Sequence, residues 1–218
     1  MANMTVFRHR LTSREIQPDF PELFRYAGFS KEILQGEKIT DSQMEALAKS
    51  AARDIAEKMN CRSVYAKFPL EFGSEEKIRF AGKEIQSHHL FLNLKNCHSV
   101  ILFAATLGPE VDRLIQKNSK INPAKSVMLQ AAGAMFIESY VEKLQDFFQS
   151  EEVKNKNAIR PRFSPGYGDV SLEVQRIFFE LLDCQKNLAL TLNDSLIMSP
   201  EKSVTAFVGI YKDLAKIK

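Results

Sequence analysis

His98-Ser99-Val100-Ile101-Leu102-Phe103-Ala104-Ala105, followed by Thr106-Leu107-Gly108-Pro109, decides how the rest of the chain folds. The run is apolar at nearly every position, so a strand built from it buries both faces and belongs in the middle of a sheet. Thr106-Leu107-Gly108 closes the run. Pro109 suits the first turn of a helix, where its missing N–H costs nothing, and Glu110 and Asp112 sit near that helix's positive end.

Working outward, Asn122-Pro123 starts a second helix by the same logic. It runs to about Phe148, is apolar on most sides, and reads as the central buried helix. The charged stretch Gln149–Asn157 reads as a surface loop. Ser171 can cap a helix through Leu182, with Val174, Ile177, Phe178, Leu181 and Leu182 on one face. Leu196–Met198 and Val204–Ile210 read as a hairpin joined by Ser199-Pro200-Glu201-Lys202.

Upstream, Met44, Leu47, Ala51, Ile55 and Met59 recur at helical spacing, and Thr40 with Gln43 offers a capping box to a helix over 42–59. Val64, Ala66, Phe68, Leu70 and Phe72 alternate with polar positions and predict a strand over 63–72, which Pro69 places at an edge or a bulge. Lys77–Phe80 returns as a short strand, and a short helix is expected around Ile85–Leu94. Residues 1–38 are irregular apart from a short helix near Glu22–Gly28. Helices and antiparallel strands mix without regular βαβ alternation, which makes the fold class α+β, an antiparallel sheet packed with helices. A length of 218 residues fits one larger unit spanning 1–218, with 1–38 its least defined part.

Composition narrows the function classes. Thirty basic against 27 acidic residues leave a formal net charge of +3, too weak a bias for nucleic acid. Cys61, Cys97 and Cys184 are odd in number and far apart, which disfavours disulfides and zinc. No apolar stretch approaches the ~18 residues of a membrane span, and the N-terminus lacks a signal-peptide core. The expectation is a cytoplasmic protein with no membrane and no nucleic-acid partner. HExxH, GxGxxG, GxxxxGKS and GxSxG are all absent.

The densest chemical signal is Arg162-Phe163-Ser164-Pro165-Gly166-Tyr167-Gly168-Asp169. Pro165-Gly166 favours a tight turn, and Gly166 and Gly168 permit positive φ and close backbone approach. Turn amides can bind a carboxylate, and the Arg162 fork can grip one bidentately. Tyr167 adds a ring and a hydroxyl. On physical grounds alone the segment is also compatible with a plain surface turn before a helix. On the long helix, Glu138 shares a stripe with Val127, Ala131, Ala134 and Val141, with Glu142 as the alternative acid. A carboxylate there needs a partner, either a ligand cation or a neighbouring Arg or Lys.

Arg162-Phe163-Ser164-Pro165-Gly166-Tyr167 resembles the Arg-x-x-Pro-Gly-Tyr pattern of the activation domain of vitamin B12-dependent methionine synthase. Ala105–Gly108 with Glu110-Val111-Asp112, Leu190–Ser195, Met198-Ser199-Pro200 and Lys202-Ser203-Val204 are similar to that family in the same order, so that the likeness covers roughly residues 85–210. The resemblance implies that fold and a site for S-adenosylmethionine (AdoMet) built from Arg162, Ser164, Pro165, Gly166, Tyr167, Gly168 and Glu138. Asp19 and Glu22 are candidates for the family's further acidic contact. In the family, oxidised cob(II)alamin is rescued by one electron and an AdoMet methyl group.

The implied role is therefore an AdoMet-binding accessory of methionine biosynthesis, active in reductive reactivation. It would be part of a methyltransferase activity and not a complete enzyme alone. Cobalamin would come only through a partner chain, a cobalamin-loaded methionine synthase core, and the electron from a flavodoxin- or ferredoxin-type donor. The family domain continues past the Ser-Val strand, whereas this sequence stops at Lys218, so that a wall of the pocket would be absent or supplied by another chain. The alternative is a non-enzymatic small-ligand-binding or partner-docking module on the same fold.

Overall fold

The computed structural model describes residues 5–29 and 42–212. The Thr40 end of the expected capping box lies outside the described residues. Its centre is a five-stranded antiparallel sheet in the order β1-β2-β6-β10-β7, where β1 is Phe7–Leu11, β2 Cys61–Pro69, β6 Ser99–Thr106, β7 Asn157–Ile159 and β10 Ser203–Lys212. The apolar run is the middle strand, β6. Ile101, Phe103 and Ala105 point to one face, and Val100, Leu102 and Ala104 to the other. Each face carries its own apolar cluster, the condition under which a strand loses its polar alternation.

One face is covered by α1 (Phe20–Tyr26), α2 (Ser42–Lys58), α4 (Pro109–Ile121) and α5 (Pro123–Val153). The other is covered by α3 (His88–Leu94), α6 (Gln175–Leu182), α7 (Cys184–Leu188) and a small sheet of β3 (Glu71–Phe72), β4 (Lys77–Phe80) and β5 (Lys83–Gln86). Among the described residues, no helix is long and apolar enough to cross a membrane.

Several expectations are corrected. The hairpin over 196–210 does not form. Met198–Ser199 is β9 and pairs with β8 (Thr191–Leu192), while β10 crosses to β6. Both faces of β10 are buried, with Ala206, Val208 and Ile210 in one apolar cluster and Phe207 in the other, so it is worth more between two layers than folded back on its neighbour. The helix α5 continues five residues past Phe148 through the expected loop. Glu152 is buried there because Lys67 Nζ at 2.9 Å and Asn157 Nδ2 at 2.6 Å donate to its carboxylate. Most of the stretch stays exposed, and Glu152 is buried only because its charge is paired.

The strand expected over 63–72 stops at Pro69, and Phe72 is exposed in the small sheet rather than on the buried face. β2 is also interior, not an edge. Pro69 is tolerated because β1 flanks β2 only as far as Tyr65, leaving the side that lacks an N–H unpaired. Lys83–Gln86 is strand, and the expected helix starts only at Ser87, whose side chain caps it by accepting from Leu90 N. Phe7–Leu11 is a strand rather than irregular. Its alternation is short and it buries little, so its period-two signal is faint.

Candidate functional site

The cleft lies where the central sheet runs out of pairing. β10 pairs with β6 along its length but with β7 only over Ile210–Lys212. Two further contacts extend that open side: Arg160 N donates to Gly209 O at 2.8 Å, and Phe163 and Phe207 exchange both main-chain bonds. Alternate residues of an antiparallel strand turn their main-chain groups to the same edge, so Thr205 faces the side that Phe207 faces. Continuing the register sets Pro165 opposite Thr205. Proline has no N–H to give, and the ladder ends there.

A cavity of about 720 Å³ opens at this edge. That is within the size range of small-molecule sites. The segment Pro161–Pro165 forms one wall and Ser203–Thr205 another. Glu138 and Gln145, two helical turns apart on α5, supply a third, and Tyr26, Gln175 and Met198 complete it. Of the residues singled out in the sequence, Arg162, Ser164, Pro165, Tyr167 and Glu138 line this cavity. Arg162 donates to Glu138 Oε2 through one amino group and to Gln145 Oε1 at 3.3 Å through the other. Burial raises the Tyr26 phenol above its ordinary pKa, and the Glu138 carboxylate adds to that. Glu138 is thus at the cleft and ion-paired at once. The stripe proposed for it is only partly inward, since Val127 is exposed. Glu142 lies off this cavity, in an adjoining depression with Asp19 and Glu22 that shares Tyr26 and Glu138 with it.

Gly166 and Gly168 do not line the cavity, although both have positive φ, +89° and +57°. The turn amides are largely consumed: Gly166 N donates to Val170 O at 2.9 Å, and Tyr167 N to Ser164 O at 3.3 Å. Asp169 anchors the far end of the turn. Its carboxylate accepts from Ser87 Oγ at 2.5 Å and His88 N at 2.7 Å, at the start of α3. The Ser87 hydroxyl, then the main-chain donors, hold that carboxyl well below its usual pKa. Tyr167 stands exposed at the mouth.

Tyr26, Gln145, Gln175, Met198 and Thr205 were not singled out in the sequence. Gln145 carried a usable signal, its seven-residue spacing from Glu138 on one helix face. The others reach the cleft only through tertiary packing. The three thiols are free and buried, and burial pushes Cys61 and Cys184 up to about 12.

A family model for the activation domain of vitamin B12-dependent methionine synthase matches residues 83–213, more than half of the chain. The chain belongs to that family. The matched span contains β6, α5, the Arg162–Asp169 turn and β10, so every wall of the cleft except Tyr26 falls within the activation-domain match. No curated protein matches the sequence. Among solved structures, the chain is similar to a crystal structure of the MetH reactivation domain bound to AdoHcy, with a TM-score of 0.70 and 16% identity, over 95% of this chain and 79% of that one. The shared fold is thus a methionine synthase activation-domain fold of mixed helix and antiparallel sheet.

Proposed function

We propose that this chain binds AdoMet in the cleft and presents its methyl group to a corrinoid held by a partner, a methionine synthase core, during reductive reactivation. The observation that carries the reading is the Arg162–Glu138 pair inside the cleft. AdoMet and its product S-adenosylhomocysteine (AdoHcy) end in a carboxylate and an ammonium. Arg162 complements the first and Glu138 the second, and without ligand the two side chains neutralise each other. Such a pair keeps both charges oriented while removing the cost of leaving either alone. Family membership and a fold neighbour described with AdoHcy support the same ligand class.

The residues do positional work. Arg162 and Glu138 hold the amino-acid end, Gln145 steadies the guanidinium, and Ser164-Pro165 shapes the wall. Tyr167 covers the mouth. A corrinoid on the partner, reduced by an external one-electron donor, would supply the nucleophile for the methyl carbon that Arg162 and Glu138 hold in place, and the sulfonium's bonding electrons would remain on sulfur. No side chain needs to act as a base, and the contribution is proximity and orientation. Asp19 and Glu22 line the adjoining depression and would extend the acidic side of the site.

Calorimetric titration with AdoMet and AdoHcy, alone and with a cobalamin-loaded methionine synthase core, tests the reading. Saturable binding, strengthened by the core, is expected. Absence of binding under both conditions would sink it.

A further inference from the structure

Gln175 opens α6 and lines the cleft, yet only 6% of its surface is exposed. Its Oε1 is buried without any hydrogen-bond partner. A buried carbonyl left unpaired is costly and calls for a specific explanation. The side chain is not loosely placed, because Ser171 caps the turn Leu172–Val174 that delivers it to the cleft wall. The terminal amide torsion is broad and nearly two-fold, so the oxygen can turn toward a donor that arrives in the cleft. Nearby, the open edge at Thr205 presents main-chain groups in the plane of the sheet, a surface suited to a flat, hydrogen-bonding group. The charged side chains of the cleft, Arg162 and Glu138, already match the two charges of an amino-acid moiety. What remains on an adenosyl ligand is a neutral base with an exocyclic amine beside ring nitrogens. A carboxamide matches the edge formed by the amine and N7, accepting from the amine and donating to N7; with a 6-oxo group that edge holds two acceptors and no donor.

We propose that Gln175 is a specificity-determining residue that reads the 6-amino group of the ligand's adenine. The inference rests on the cleft being an AdoMet and AdoHcy site.

The test is calorimetry with AdoHcy and with S-inosylhomocysteine, in which a 6-oxo group replaces the amine and turns a donor into an acceptor. The wild type should prefer AdoHcy by about tenfold or more, as expected of a site that hydrogen-bonds the amine. Gln175→Leu should lower AdoHcy affinity several-fold and shrink that preference, and Gln175→Glu, which keeps an oxygen acceptor, should preserve it. A purely structural role would weaken both ligands equally, and an unchanged ratio in Gln175→Leu overturns the assignment. If Gln175→Leu does not fold, Gln175→Asn, which withdraws the amide by one methylene, gives the same comparison. If the variant instead abolishes only the penalty for 2′-deoxy-AdoHcy, the contact is to the sugar and the assignment to the base is overturned. A wild type that binds no AdoHcy overturns this inference together with the functional reading. A wild type that binds with a ratio insensitive to Gln175 overturns this inference alone.

Discussion

Arg162 and Asp169 bracket one short turn, and their charges face opposite ways. Arg162 points into the cleft and finds Glu138 on α5. Asp169, itself exposed, lies off the cleft and binds Ser87 and the first amides of α3. Between them, Ser164 and Pro165 line the cavity, while Gly166 and Gly168 set the turn's shape and stay off the wall. A continuous motif therefore does two jobs. Its first half lines the cleft, and its second half fixes where the first half stands. Substitutions in the two halves should separate affinity from stability.

The largest effect is expected beneath both halves. Phe207 is fully buried, meets the rings of Phe178 and Phe80 edge to face, and bonds Phe163 through its main chain. Phe207→Ala should cost about 3–5 kcal/mol of stability, read by urea or thermal unfolding. An effect below about 1 kcal/mol would mean that the turn is not seated on this core.

In the ligand-facing half, Arg162→Ala should weaken AdoHcy binding by about 1.5–3 kcal/mol, the range for a charge-assisted contact. Calorimetry and a melt on the same sample would show whether affinity falls more than stability. The reverse order would place Arg162 with the structural half.

Gly168→Ala should do the opposite. An added Cβ would meet His89 Nδ1 at 2.8 Å, and φ of +57° is left-handed backbone. A loss of about 1–2 kcal/mol in stability is expected, with AdoHcy affinity of the folded protein unchanged.

The smallest effect concerns pH. The folded pKa of Asp169 is lowered, so its contribution is fully present above the ordinary carboxyl value of 3.8 and is lost as pH falls through the folded value. Asp169→Asn should therefore be less stable than wild type near neutrality and lose less on acidification. Melting curves from about pH 6 down to about pH 3 would show the two converging. Parallel curves would mean that the Asp169 carboxylate does not anchor the turn.

Much of the cleft was legible because it rests on local chemistry. Pro165-Gly166 with Gly168 predicts a turn, and Arg162 beside it predicts an anion contact. The ordered likeness to the activation-domain family over 85–210 also agrees with a family match over 83–213. Less legible were the partners. Nothing near Gln175 in the chain says that its amide reaches the cavity, and nothing near Tyr26 says that it meets Glu138. The misread hairpin at 196–210 has the same origin. Ser199-Pro200-Glu201-Lys202 is sound turn chemistry, and the chain bends there, but the strand after it pairs with β6.

By itself, the sequence determined the elements whose hydrophobic period is strong. These are β6 as an interior strand and α5 as the long buried helix, while the Arg162–Asp169 turn is read from its proline and glycines instead. Burial demand is written into each such segment, so its solvent-averse face can be read without knowing its neighbour. Only the tertiary structure decided which surfaces meet. It closed Arg162 onto Glu138, used Pro165 to end the ladder beside Thr205, and buried Glu152 under Lys67 and Asn157. Pairings between distant residues depend on the loops and layers that bring them together, and no local pattern encodes that distance.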